Sequence, residues 1–115
     1  MSDITLYGLK TCDTCQKAVK ALDAAGKPAT FVDVRAEADL TVKVPAWLEA
    51  VGPGLLNKAS TTWRGLSEAE KAAALTDPTP VLTANPTLIK RPVIETSAGT
   101  YIGWTPKTRT ALGMD

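Results

Sequence analysis

Two cysteines, Cys12 and Cys15, bracket Asp13 and Thr14 in a C-x-x-C near the start of a 115-residue chain that contains no histidine. The reactive form of cysteine is the thiolate, and its abundance at neutral pH is set by the surroundings of the sulfur. If a helix opens at Cys12, unpaired backbone N–H groups and the positive end of the helix dipole both favour an anion there. An ordinary thiol titrates near ~8.5, and a helix start or a basic neighbour can lower that to roughly 3.5 to 7.5. Lys10 adds to the effect and Asp13 partly opposes it. Cys15 would lie one turn further on, in line with Val19 and Leu22 and hence more buried. The pattern predicts an exposed Cys12 that attacks and a sheltered Cys15 that resolves the mixed disulfide. Two other readings of the pair stay open. Half a zinc site is one, although without histidine or a further cysteine its remaining ligands would be carboxylates or come from a second chain, and no metal is expected. A pair of inert, packed cysteines is the other.

Basic residues elsewhere offer partners for an anion. In Lys90-Arg91-Pro92-Val93-Ile94 the proline can simply start an edge strand beside solvated charges. The functional alternative is a cis-proline loop facing the thiol, with Arg91 presenting a planar fork to a carboxylate or oxyanion. Thr61-Thr62-Trp63-Arg64-Gly65 falls in an irregular stretch, where Trp63 is either core or part of a functional loop and Arg64 either solvated or a ligand contact. Lys58, Arg64 and Arg91 together would ring the Cys12 sulfur, lower its pKa and bind an anionic substrate.

The elements that must position these groups are legible from period and punctuation. Asp3 to Gly8 alternates as a strand. From Cys12 the series Cys15, Ala18, Val19, Leu22, Ala25 has helical spacing, closed by Gly26 and Pro28. Thr30 to Val34 is β-rich, so the opening is β-α-β with a parallel pair. Val44, Trp47, Leu48 and Val51 share a helical face that ends at Gly52-Pro53-Gly54. Asn57 to Gly65 has no period and is expected to be a polar connection. Ser67 with Glu70 forms a capping box for a helix to about Thr76, and Pro78 to Asn85 is a further short helix. Pro92 to Thr96, the turn Ser97-Ala98-Gly99 and Thr100 to Gly103 make a β-hairpin, followed by a helix from about Pro106 to Leu112. The order β-α-β, inserted helices, β-β-α is the thioredoxin plan: an α/β fold with a mixed four-stranded sheet, in one domain over 1–115 with a helical insertion at about 40–87.

Bulk properties set outer limits. Thirteen basic and twelve acidic side chains leave a net charge of +1, which is not the footprint of a protein that grips a nucleic-acid backbone. No apolar run approaches the ~20 residues that span a bilayer. The acidic start Met1-Ser2-Asp3 has neither a basic nor an apolar leader region, so a cytoplasmic protein is expected. In that reducing compartment a lone cysteine pair serves redox or metal chemistry more readily than permanent cross-linking.

Four segments, Thr5-Leu6-Tyr7-Gly8 to Cys12-Asp13-Thr14, Leu55-Leu56-Asn57, Thr61-Thr62-Trp63-Arg64 and Ile89-Lys90-Arg91-Pro92, together resemble the ArsC/Spx family. This family comprises the glutaredoxin-like arsenate reductases and their relatives, and the chain is most similar to its YffB-type branch of proposed glutathione-dependent thiol reductases. The resemblance covers nearly the whole chain and implies a thioredoxin-like fold with a helical subdomain, a catalytic thiol at Cys12 and an anion-contacting Arg91. It also implies glutathione as co-substrate with no bound cofactor, a thiol or disulfide substrate, and glutaredoxin or thioredoxin as possible protein partners. Family arsenate reductases place three arginines around the thiolate, whereas Asn57-Lys58 and Gly103-Trp104 stand where two of them would be expected. Cys15 gives the chain the C-x-x-C of the Spx regulators, so the alternative of another class is a redox switch that binds RNA polymerase.

Overall fold

The computed structural model describes residues 4–113, which form two compact units. One unit contains the chain up to Ala38 together with the chain from Arg91 onward; the other is Asp39–Lys90.

The first unit is built on a four-stranded sheet in the order β2-β1-β3-β4. Strand β1 (Thr5–Gly8) pairs in parallel with β2 (Thr30–Asp33), and it pairs antiparallel with β3 (Val93–Thr96), which pairs antiparallel with β4 (Gly99–Ile102). The sheet is mixed and the fold is thioredoxin-like. Helix α1 (Asp13–Ala24) is the crossover between the parallel strands. It ends in a Schellman arrangement: Gly26 at φ 75° donates its N–H to the Asp23 carbonyl, and Lys27 donates to the Leu22 carbonyl. Its inner face, Cys15, Ala18 and Leu22, packs with Ile4, Leu6, Ile94 and Leu112 into a core from which water is excluded.

Two expectations for this unit need correction. Pro92 does not begin an edge strand, because β3 lies inside the sheet between β1 and β4, and Pro92 is itself fully buried. The hairpin turn is Ser97-Ala98, with Gly99 already in β4; the Thr96 hydroxyl accepts the N–H groups of Ala98 and Gly99, each at 3.1 Å, and so closes a shorter turn.

The second unit is helical. Helix α2 (Leu40–Val51) starts at Asp39, whose carboxylate accepts the Thr41 N–H, and buries Leu40, Val44 and Trp47. It begins a turn earlier than its apolar face suggests and carries Pro45 inside it. A 3₁₀ turn (Gly52–Leu55) follows. The expected polar connection contains a four-residue helix, α3 (Thr61–Arg64), in which the Ser60 hydroxyl accepts the Trp63 N–H at 3.1 Å. A single turn held by its cap has no period to read. Helix α4 (Glu68–Thr76) opens with both bonds of the Ser67–Glu70 capping box, which also hold the Glu70 carboxyl below the usual carboxylate range. Helix α5 (Thr79–Ala84) and a 3₁₀ turn (Pro86–Leu88) complete the unit, and Leu56 and Ile89 form an antiparallel bridge. In the first unit the chain ends with α6 (Pro106–Ala111), capped by the Thr105 hydroxyl. No helix among the described residues is long and apolar enough to cross a membrane.

Candidate active site around Cys12

The loop from β1 to α1 is a tight turn in which the Cys12 N–H donates to the Leu9 carbonyl at 3.0 Å. Cys12 is the residue immediately before α1, with extended backbone (φ −85°, ψ 116°), and its carbonyl accepts the first helical bond from Gln16. The Gln16 side chain reaches back to donate to the Lys10 carbonyl, which ties the approach loop to the helix. The sulfur therefore faces the unpaired end of the helix. Cys12 is partly rather than fully exposed, because it packs against the core cluster that Cys15 enters completely.

The glycine that ends β1 makes this packing possible. A β-carbon on Gly8 would collide with the Cys15 sulfur and stand 3.1 Å from its Cβ. Both atoms sit in a packed core and cannot yield, so Gly8→Ala is expected to destabilise the protein by about 1–3 kcal/mol through overpacking. Urea unfolding checks this, and an unchanged midpoint would contradict it.

The two thiols are driven apart in acidity. Partial burial pushes the Cys12 pKa upward, but the backbone N–H and the thiol of Cys15, the Arg91 side-chain hydrogen bond and the Arg91 charge together hold it below the ordinary thiol value. The Cys12 side chain makes no helix-capping hydrogen bond, so these neighbours act as dipoles and charge around the sulfur. Burial above all, opposed by the Leu9 N–H and helped by the neighbouring Cys12, with Arg91 a small counterweight, leaves the Cys15 thiol pushed up to about 12. At neutral pH Cys15 is thus a protonated donor, and any negative charge on the pair rests on Cys12.

Arg91 is half-buried and precedes Pro92 through a cis peptide bond, and the Pro92 carbonyl accepts the Gly103 N–H at 2.8 Å. Cys12, Cys15, Arg91 and Pro92 thus belong to one unit, and Arg91 reaches the Cys12 sulfur. Lys10 is exposed on the loop before Cys12 and borders a hollow of about 410 Å³ with Arg35 and Asp33. Arg35 was not singled out by sequence, since an isolated arginine after a strand carries no pattern. Lys58 and Arg64 are exposed on the helical unit, before α3 and in its last turn, and Trp63 beside Arg64 is half-buried. Trp104, at one of the positions where an arginine was expected, packs partly buried against the core. Among the described residues no three His, Cys, Asp or Glu side chains come together as a metal site.

The ArsC family model matches residues 7–112. An uncharacterized protein of Haemophilus influenzae is 41% identical over 110 residues, covering 90% of this chain and 93% of its own. A solved structure described as the YffB protein superposes with a TM-score of 0.83 at 35% identity, covering 94% of this chain and 96% of that one. An arsenate reductase (ArsC) related protein from Brucella melitensis gives a TM-score of 0.75 at 33% identity, covering 96% and 93%.

Proposed function

We propose, from the premise that the chain belongs to the ArsC family, that this redox protein is a glutathione-dependent thiol reductase in which Cys12 is the nucleophile. The observation that carries the reading is the placement of the half-buried Cys12 immediately before α1, one turn from the buried Cys15 thiol and in one unit with Arg91 and its cis bond to Pro92, surroundings that lower its pKa.

The Cys12 thiolate attacks the glutathionyl sulfur of a mixed disulfide RSSG. A Cys12–SG bond forms as the RS–SG disulfide bond breaks, and the departing RS⁻ thiolate takes a proton from water to leave as RSH. A glutathione thiolate then attacks the same glutathionyl sulfur, Cys12 departs as a thiolate, and GSSG is released. The sum is RSSG + GSH giving RSH + GSSG. The contacts that lower the Cys12 pKa serve both halves, since a stable thiolate is present to attack and is also the better leaving group. Cys15 serves this as a proton-bearing donor; its burial and raised pKa make it a slow resolving thiol and support the external thiol for the second step.

The test is glutathione-dependent reduction of 2-hydroxyethyl disulfide, followed through NADPH oxidation by added glutathione reductase. Catalysed turnover is expected, and rates equal to uncatalysed exchange would sink the reading. Arsenate in place of the disulfide separates the narrower arsenate reductase activity from the general one.

A further inference from the structure

Next to the Cys12 turn, α1 and β2 enclose a groove of about 240 Å³ lined by Leu9, Lys10, Gln16, Val19, Lys20 and Phe31. Leu9 is buried, and Val19 and Phe31 are half-buried with their outer surfaces forming an apolar floor. Its volume falls short of the roughly 300–1,000 Å³ of a site that holds a whole small molecule, and suits a single side chain. Two cations, Lys10 and Lys20, stand exposed on its rim, no carboxylate lines it, and among the described residues neither lysine makes an ion pair. The groove is held in a fixed relation to the nucleophile: Lys10 is two residues before Cys12, and Gln16, one turn after it, bonds the Lys10 carbonyl.

Resting on the thiol reductase reading, we infer that this groove docks a polypeptide substrate, taking an apolar side chain close to the substrate's disulfide while Lys10 and Lys20 meet carboxylates that flank it. Charge complementarity selects an acidic segment, and the apolar floor selects a peptide over glutathione, which has carboxylates but no apolar side chain to cover Leu9, Val19 and Phe31. The substrate class is therefore glutathionylated protein whose modified cysteine has apolar and acidic neighbours.

The experiment compares two glutathionylated peptides of equal length, one with Leu and Glu beside the modified cysteine and one with Ser and Gln. Versions bearing serine for the cysteine are titrated against the protein by NMR, so that docking is read without chemistry. The expected result is a preference on the order of tenfold for the Leu/Glu peptide in both kcat/KM and Kd, as burial of one apolar side chain gives. Lys20→Glu, an exposed change on the outer part of α1, should remove the carboxylate's share of the preference, lowering it about two- to fivefold, and leave the rate with 2-hydroxyethyl disulfide unchanged. Equal binding of the two peptides, or a preference that Lys20→Glu does not touch, overturns the inference. So does displacement of the NMR signals of the groove by a medium-chain fatty acid but by neither peptide, which would make it a lipid site. Failure with 2-hydroxyethyl disulfide alone strikes the reductase reading instead, and the NMR titration still decides the groove.

Discussion

Cys12→Ser is expected to reduce glutathione-dependent disulfide reduction to the rate of uncatalysed exchange, whereas Cys15→Ser should retain most of it. The asymmetry follows from the electrostatics of the pair. A serine hydroxyl at position 12 stays protonated at neutral pH and cannot attack sulfur, so no mixed disulfide forms. At position 15 a hydroxyl still donates toward the Cys12 sulfur, occupies less space in the core and leaves the external thiol to finish the cycle. The measurement is kcat/KM for each variant with glutathione saturating, together with mass spectrometry of the trapped adduct. A glutathione adduct on Cys12 in the Cys15→Ser variant is the expected intermediate. Loss of turnover in a folded Cys15→Ser protein would assign resolution to Cys15 and reverse the roles proposed for the second step.

The second large effect is at Arg91. A hydrogen bond to a charged group contributes about 1.5–3 kcal/mol, equivalent to about one to two pKa units. Solvent at the partly exposed sulfur screens the interaction toward the lower end of that range. Arg91→Ala should therefore raise the Cys12 pKa and cut the thiolate fraction at neutral pH by about tenfold. Sign and direction are fixed by the geometry: Arg91 favours the anion, so its loss moves the titration up. The rate deficit should shrink as the pH is raised toward 9.0, because both proteins then carry the thiolate. Arg91→Lys restores charge without the planar fork, and an intermediate pKa is expected. A deficit independent of pH would mean that Arg91 acts on the substrate alone.

Much of the scaffold can be read directly from the chain. The alternation of Ile4, Leu6 and Gly8, the 3–4 spacing from Cys15 to Leu22 and the Gly26-Lys27-Pro28 stop are strong local signals, and they place Cys12 at the helix start before any coordinate is known. The Ser67–Glu70 capping box is equally local. Helix α3 escaped because four residues cannot show a period and its stability comes from one hydroxyl, that of Ser60. Pro92 escaped in part because a proline before a strand fits an edge as well as an interior position; its place inside the sheet depends on β3 pairing with both β1 and β4. Gly8 looked like the end of a strand, and its contact with Cys15 emerges only when α1 folds back across the sheet. The groove at Leu9, Val19 and Phe31 draws on a loop, a helix and a strand, so no window of sequence contains it. Acidity followed the same division. That Cys12 should be the anion is legible from its position, whereas the donor role of Cys15 depends on the depth to which α1 buries it.

Everything in the proposed chemistry requires the negative charge of the pair to reside on Cys12 at neutral pH. The direct measurement is the pH dependence of iodoacetamide alkylation, resolved by mass spectrometry into Cys12 and Cys15. A Cys12 rate that rises through a midpoint below the ordinary thiol value of about 8.5, with Cys15 unmodified throughout the neutral range, is the predicted result. A Cys12 midpoint at or above the ordinary value of about 8.5, or alkylation of Cys15 ahead of it, would contradict the account.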